Sequence, residues 1–297
     1  MLQLPKNEYR ISITSGCNMK CVYCHNEGNH VINQLSKDDI EELIKNSYDL
    51  QLEQVRITGG EPLIHKDILE IVQMLAEKYH LKVGINTNII EIEKLMYMIE
   101  KGWIYRVVAG IDYFDAPISK QSPIGISSKQ ALENVLRVKN SGVNITISTV
   151  FDGNYENLYN LVKWCRENEI RIKILEEVTE EIAETTSKEY LEMKERILKD
   201  FGLTAKFDPK FKEWHGMKED FVAVTFFHSH CRINECEVCK DMHLRVTSCG
   251  RFKQCIQTSD YDIDIKKGSV RENILKALTQ PVNIRIKEAR YVDSSVM

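Results

Sequence analysis

Thr14-Ser15-Gly16-Cys17-Asn18-Met19-Lys20-Cys21-Val22-Tyr23-Cys24-His25-Asn26-Glu27-Gly28 follows a strand-like run, Arg10-Ile11-Ser12-Ile13, and spaces its cysteines C-x3-C-x2-C. Three thiolates so close together suit a soft metal, yet they are one short of a tetrahedral set. A structural zinc site closes with four ligands. A [4Fe–4S] cluster held by three thiolates leaves one iron open to an outside ligand. Incidental cysteines, a zinc site completed by His25 or by distant cysteines, and an open iron–sulfur cluster all remain compatible with the spacing alone.

Outward from this stretch, residues 9 to about 176 alternate strand-like and helix-like segments, with candidate strands at 9–14, 54–58, 81–86, 105–110, 144–149 and 170–175. Ser36 with Asp39 has the form of a capping box ahead of Ile40, Leu43 and Ile44. Asp67, Ser128 and Asn154 precede further apolar stripes at helical spacing, and Gly142 marks a helix stop. Cys165 falls on the stripe Leu158, Leu161, Val162 and reads as core. Six β-α units in succession predict an α/β fold with a parallel sheet. The acidic, then helical run 181–202 reads as a connector between a first domain over 1–180 and a second over 203–297.

In three strands isoleucine or valine alternates with basic residues: Arg10, Arg56, and Arg171 with Lys173. Successive strand residues face opposite sides of a sheet. With the aliphatic residues against the helices, the basic ones face the opposite side, the interior if the sheet curls. There they pair with internal carboxylates such as Glu61, Asp112 or Glu176, or they meet an anionic ligand.

Hydrophobic and charged fractions of 43% and 28% are those of a globular protein, and a net charge of −4 gives no general pull toward nucleic acid or anionic membrane. The first residues lack a signal-peptide pattern, and no apolar run reaches the roughly 18 residues of a membrane span. Nine cysteines without an export signal favour metal ligation over disulfides and predict a cytoplasmic protein.

C-x3-C-x2-C with Tyr23 before the last cysteine resembles the motif of the radical S-adenosylmethionine (SAM) enzymes. A second segment resembles them too: Gly59-Gly60-Glu61-Pro62 ends the next strand. The resemblance implies a partial (β/α)6 barrel and a [4Fe–4S] cluster on Cys17, Cys21 and Cys24 whose open iron chelates SAM. It implies that Gly59, Gly60 and Glu61 line SAM, that Glu61's turn receives the methionine amino group, and that Tyr23 lies near the adenine. Asn86-Thr87-Asn88 resembles the turn through which Thr87 approaches SAM, with Ile89 in place of a glycine. Gly110, in Ala109-Gly110-Ile111-Asp112, stands where the family often has a SAM-contacting serine.

The C-terminal part holds Cys236-Glu237-Val238-Cys239 and the run His243 to Cys255, whose Ser248-Cys249-Gly250 centre reads as a hairpin turn. It resembles the auxiliary-cluster domain of the GTP 3′,8-cyclase family. By that resemblance Cys236, Cys239 and Cys255 hold a second [4Fe–4S] cluster, with Cys231 or Cys249 as a further ligand in question. Arg10, Arg56, Lys173 and Arg245 fall at basic substrate-side positions. Zinc on His230, Cys231, Cys236 and Cys239 is the alternative for this region. Lys173 replaces an arginine of that family, only one of two hairpin arginines is clear, and YVDSSVM lacks its Gly-Gly tail, so the two-cluster architecture transfers more directly than GTP does.

The expectation is reductive SAM cleavage, hydrogen abstraction from an anionic, nucleotide-like small molecule for cyclisation or rearrangement, and an external one-electron donor such as flavodoxin or ferredoxin. The alternatives are a peptide-modifying maturase, whose leader-binding domain the barely eight residues before the first strand do not supply, and a non-enzymatic metal or iron–sulfur scaffold.

Overall fold

The computed structural model describes residues 2–21, 23–24, 32–115, 127–177, 186–210, 213–227, 244–255 and 259–280. Six strands, β1 (Glu8–Ser12), β2 (Gln54–Thr58), β3 (Lys82–Thr87), β4 (Ile104–Gly110), β5 (Asn144–Phe151) and β6 (Arg171–Glu176), lie side by side in chain order. Every neighbouring pair among them is parallel. This is the strand order of a partial (β/α)6 barrel. The linking helices are α1 (Lys37–Lys45), α2 (Ile68–Gln73, continued by a π-turn over Met74–Lys78), α3 (Ile92–Glu100), α4 (Ser128–Asn140) and α5 (Tyr155–Glu167).

The sheet continues past both edges of this unit. After α6 (Lys188–Asp200), β7 (Thr204–Asp208), β8 (Glu213–Lys218) and β9 (Phe221–Phe227) form an antiparallel meander, and β9 joins β6 in parallel. At the other edge β10 (Leu244–Val246) pairs with β1 in parallel, and β11 (Arg251–Lys253) and β12 (Ile263–Asp264) follow antiparallel. Among the described residues the result is one twelve-stranded sheet, with α7 (Val270–Thr279) near α1. The hairpin expected at Ser248-Cys249-Gly250 forms, with Gly250 at φ 75°.

Alternation decides which face each strand residue takes. Ile11, Ile57, Ile172 and Ile174 are buried with Ile40, Leu43, Ile71, Val72, Leu161 and Val162 from the helices. Cys165 is fully buried in that layer, as its spacing predicts. Ser36 and Asp39 make both bonds of the capping box, Asn154 caps α5 by accepting from Asn157 N, and Gly142 closes α4 at φ 84°. Asp67 precedes α2 without a side-chain cap bond. The cap of α4 is Ser127, which accepts from Gln130 N, while Ser128 is the first helical residue. Two adjacent serines read alike in sequence, and the β conformation of Ser127 picks it out.

Among the described residues no helix is long and apolar enough to cross a membrane.

Candidate active site at the strand ends

The two glycines of the Gly59-Gly60-Glu61 turn are required by the close approach of another backbone segment. A Cβ at Gly59 would lie 2.4 Å from the Thr14 carbonyl oxygen, and one at Gly60 would lie 2.1 Å from that of Gly16. Gly60 N donates to Thr14 O at 2.7 Å, and Glu61 N to Gly16 O at 2.8 Å. The turn after β2 is thus bonded to the residues immediately ahead of Cys17. This contact gathers Cys17, Cys21, Cys24, Tyr23, Gly60, Glu61 and Thr87 around one cavity of about 560 Å³. It opens at the C-terminal ends of β1–β5, the end at which barrels of this kind carry their chemistry.

Cys17 and Cys24 are exposed and Cys21 is half-buried, all three as free thiols. Burial pushes the Cys21 thiol up to about 11, with Tyr23's hydrogen bond acting against it and the carboxylate of Asp112 adding to it. A positively charged partner is what converts such a thiol into a thiolate ligand. Among the described residues no three His, Cys, Asp or Glu side chains converge on a point for a single ion. A cubane cluster asks for something else, since each thiolate ligates its own iron. Three soft donors lining one cavity without converging fit such a cluster.

Glu61 is 1% exposed, and its carboxylate accepts from Thr87 Oγ1 (2.7 Å), Asn88 N (2.7 Å) and Leu63 N (3.0 Å). Burial nevertheless raises its pKa to about 7. Tyr23 donates its hydroxyl to Asp112 Oδ2, and Asp112 Oδ1 accepts from Val150 N at 3.0 Å. Asn88 Nδ2 donates to Asn18 Oδ1 at 2.6 Å. The cysteine loop is therefore tied to β3, β4 and β5 across the cavity. Sequence reasoning gave neither Asp112 nor Asn18 a place here, because bonds across 70 to 89 residues leave no local pattern. His65 is buried, bonded to Leu35 O and Asp67 N, and serves the backbone.

Below the cavity the basic residues form a lateral row. Arg245 pairs with Arg10, Arg10 with Arg56, Arg56 with Gly84 and Gly84 with Arg106, so all share one face of the sheet. Lys253 extends the row beyond Arg245. Thr58, Asn86 and Val108, which line the cavity, stand two residues beyond Arg56, Gly84 and Arg106 on the same face.

Two sequence expectations are corrected, the carboxylates that pair with the basic residues and the place of Arg171. Glu8 lies 2.8 Å from Arg56 and 3.7 Å from Arg106, Asp262 lies 3.4 Å from Lys253, and, outside the row, Glu213 lies 3.5 Å from Lys173. Glu61 and Asp112 are engaged in the cavity above, and Glu176 accepts from Ser187 N. Arg171, at the start of β6, is exposed and stacks its guanidinium 5.4 Å from the Phe221 ring centre instead of joining the interior set. Burial lowers the Lys173 pKa to about 8, opposed by Glu213 and reinforced by Arg56, and its ammonium sits 3.8 Å from the centre of Phe227's ring. Glu8 and Arg106 were legible in principle, lying at even spacing from Arg10 and from Val108 on their own strands.

Cys255 is buried just past β11, and Cys249 lies in the β10–β11 turn with its sulfur 3.1 Å from Thr247 Oγ1. Cys231, Cys236, Cys239, His25 and His230 lie outside the described residues.

The chain is similar to the probable GTP 3′,8-cyclase of Thermococcus kodakarensis, 28% identical over 308 residues that cover 95% of this chain and 96% of that one. It is likewise similar to the GTP 3′,8-cyclase of Lactiplantibacillus plantarum, 28% identical over 92% of this chain and 88% of its relative. Among solved structures, SuiB of Streptococcus suis bound to S-adenosylmethionine matches with a TM-score of 0.68 and 17% identity, over 94% of this chain and 67% of SuiB. Native anSMEcpe with bound AdoMet matches at 0.63 and 15%, over 94% and 82%. At such identities these two likenesses speak for the fold alone. The sequence profile of the Radical SAM superfamily matches residues 11–165, more than half the chain and the whole of the region that builds the cysteine cavity; the chain belongs to that superfamily.

Proposed function

We propose that this protein cleaves SAM reductively and uses the resulting radical to take a hydrogen atom from an anionic, nucleotide-like small molecule, which then cyclises or rearranges. The observation that carries the reading is the stacking of two layers: a cavity bounded by three free cysteines and Glu61 above a row of guanidinium groups on the same sheet face.

In this reading Cys17, Cys21 and Cys24 hold the [4Fe–4S] cluster implied by the family. Bound there, it supplies the single electron that splits SAM into methionine and the 5′-deoxyadenosyl radical. The protein's own part is binding and orientation. Glu61 offers a carboxylate to the methionine ammonium, Gly59 and Gly60 let its turn press against the backbone ahead of Cys17 so that the turn lines SAM, and Thr87 fixes Glu61's carboxylate from the neighbouring strand. Tyr23, anchored on Asp112, closes the cavity wall beside the adenine. Arg10, Arg56, Lys173 and Arg245 bind the anionic part of the substrate. Cys236, Cys239 and Cys255 hold the second cluster, facing the same substrate. A reduced compartment and an external one-electron donor of the flavodoxin or ferredoxin type complete the system.

Similarity to proteins named GTP 3′,8-cyclase over nearly the whole chain supports a nucleotide. SuiB bound to its precursor peptide SuiA shares the fold at 16% identity and supports no more than that. The decisive experiment incubates the anaerobically reconstituted protein with SAM and dithionite, with and without GTP, and follows 5′-deoxyadenosine and new nucleotide masses. GTP-stimulated 5′-deoxyadenosine together with an isomer of GTP is the expected result. SAM cleavage indifferent to GTP and to other nucleoside triphosphates would remove the nucleotide reading. Replacing any of Cys17, Cys21 or Cys24 by serine is expected to abolish SAM cleavage, and retained turnover would sink the cluster assignment.

A further inference from the structure

Arg56 and Arg106 are not neighbours in the lateral row, for Gly84 of β3 stands between them. A Cβ at Gly84 would meet Arg106 Nε at 3.5 Å and Nη2 at 3.7 Å, so the guanidinium lies across the space a side chain would have filled. From there it reaches Glu8, 3.7 Å away, the same carboxylate that Arg56 holds with contacts of 2.8 and 3.1 Å. Glu8 is sealed, with its side chain 2% exposed, while Arg56 and Arg106 keep 21% and 28%. Two guanidinium groups thus share one carboxylate buried beneath them and leave their outer edges open. Arg106 Nη2 is itself buried and makes no hydrogen bond. Two cations on a single counter-charge, partly out of water, are stabilised by a further anion.

We propose that Arg106 is a substrate-binding residue that forms, with Arg56 across the gap at Gly84, a two-guanidinium clamp for a phosphate-type oxyanion of the substrate. This rests on the anionic-substrate reading above. Planar guanidinium forks bind phosphate oxygens in pairs, which a lysine at either position cannot reproduce. Glu8 holds the two forks in place before the ligand arrives, so little ordering remains to be done on binding. Gly84 is then a specificity residue by virtue of what it lacks. An alanine Cβ there rests on Arg106 at ordinary van der Waals distance, whereas the methyl groups of valine need the volume the guanidinium occupies.

The test is calorimetric titration of the reconstituted, SAM-bound enzyme with inorganic tripolyphosphate, with SAM affinity measured in parallel as a check on folding. Arg106→Gln is expected to weaken tripolyphosphate binding about tenfold, the size of one lost charge-assisted bond. Gly84→Val should weaken it comparably although every charge remains, and Gly84→Ala should stay within about twofold. If Arg106→Gln does not fold, Arg106→Lys keeps the charge and loses the fork, and carries the same expectation. Unchanged binding in the Arg106 variants, with binding lost in Arg10→Gln, would make Arg106 a mere counterion of Glu8 and leave the anionic reading intact. No binding of tripolyphosphate by the parent enzyme would overturn the anionic reading and the clamp with it.

Discussion

Glu61 and Ile89 show how much rests on single residues at the strand ends. Three hydrogen bonds favour the ionised Glu61, yet desolvation outweighs them and lifts its pKa to about 7. An unfolded glutamate ionises near 4.3. Between that value and about 7 the folded apo-protein keeps a proton the unfolded chain has lost, so its stability falls as pH rises through this window. The shift corresponds to a penalty on the order of 3 kcal/mol, fully expressed above the folded pKa. A SAM ammonium beside the carboxylate favours the ionised form. SAM affinity, read by titration of the reconstituted enzyme, is therefore expected to fall as pH is lowered through about 7. Glu61→Gln should bind SAM weakly with that dependence gone. Ile89 is fully buried at φ 62°, a conformation that strains a β-branched residue. Thr87 Oγ1 accepts from Ile89 N, and Asn134 Nδ2 donates to its carbonyl, which together hold the backbone there. Ile89→Gly should unfold at higher urea than Ile89→Ala, by about 1 kcal/mol, reversing the usual order of the two residues.

The strands of the first 176 residues and all of their helices but α3 were legible from periodicity, because each must bury one stripe or one face. Ile40, Leu43 and Ile44 beside a capping box, or Ile172 and Ile174 alternating with Lys173, state their own geometry. Element ends were less legible. Glu8 fell outside the strand expected at 9–14, and with it went the carboxylate of the lateral row. At α4 the cap lay one residue earlier than the sequence suggested. Ser127→Ala is expected to cost about 1 kcal/mol in thermal unfolding and Ser127→Asp, which keeps a capping oxygen, much less. An unchanged melting temperature in Ser127→Ala would remove Ser127 as the cap. The turn at Gly59 and Gly60 was legible as a motif, but its physical necessity was not. That depends on the carbonyls of Thr14 and Gly16, more than 40 residues away in the chain.

At the scale of the molecule, the sheet does not stop at six strands, for later segments pair with both of its outer members. Strand β10 lays Arg245 beside Arg10, so the C-terminal region contributes to the same face as the N-terminal strand. The proposed pair of clusters predicts about eight irons in the reconstituted protein. Cys255→Ser should lower that to about four while Cys17, Cys21 and Cys24 keep SAM cleavage possible. Unchanged iron in that variant would remove Cys255 from the second site. The alternation of strands and helices, the cysteine spacing and the glycine turn were determined by the sequence itself, since each is encoded within a few consecutive residues, whereas the order of the strands in the sheet was settled by the fold. Which charges meet was decided only by the tertiary structure. Glu8 finds Arg56 and Arg106, Tyr23 finds Asp112, and Gly84 makes room for a neighbour's guanidinium, because lateral register joins residues that periodicity treats as independent.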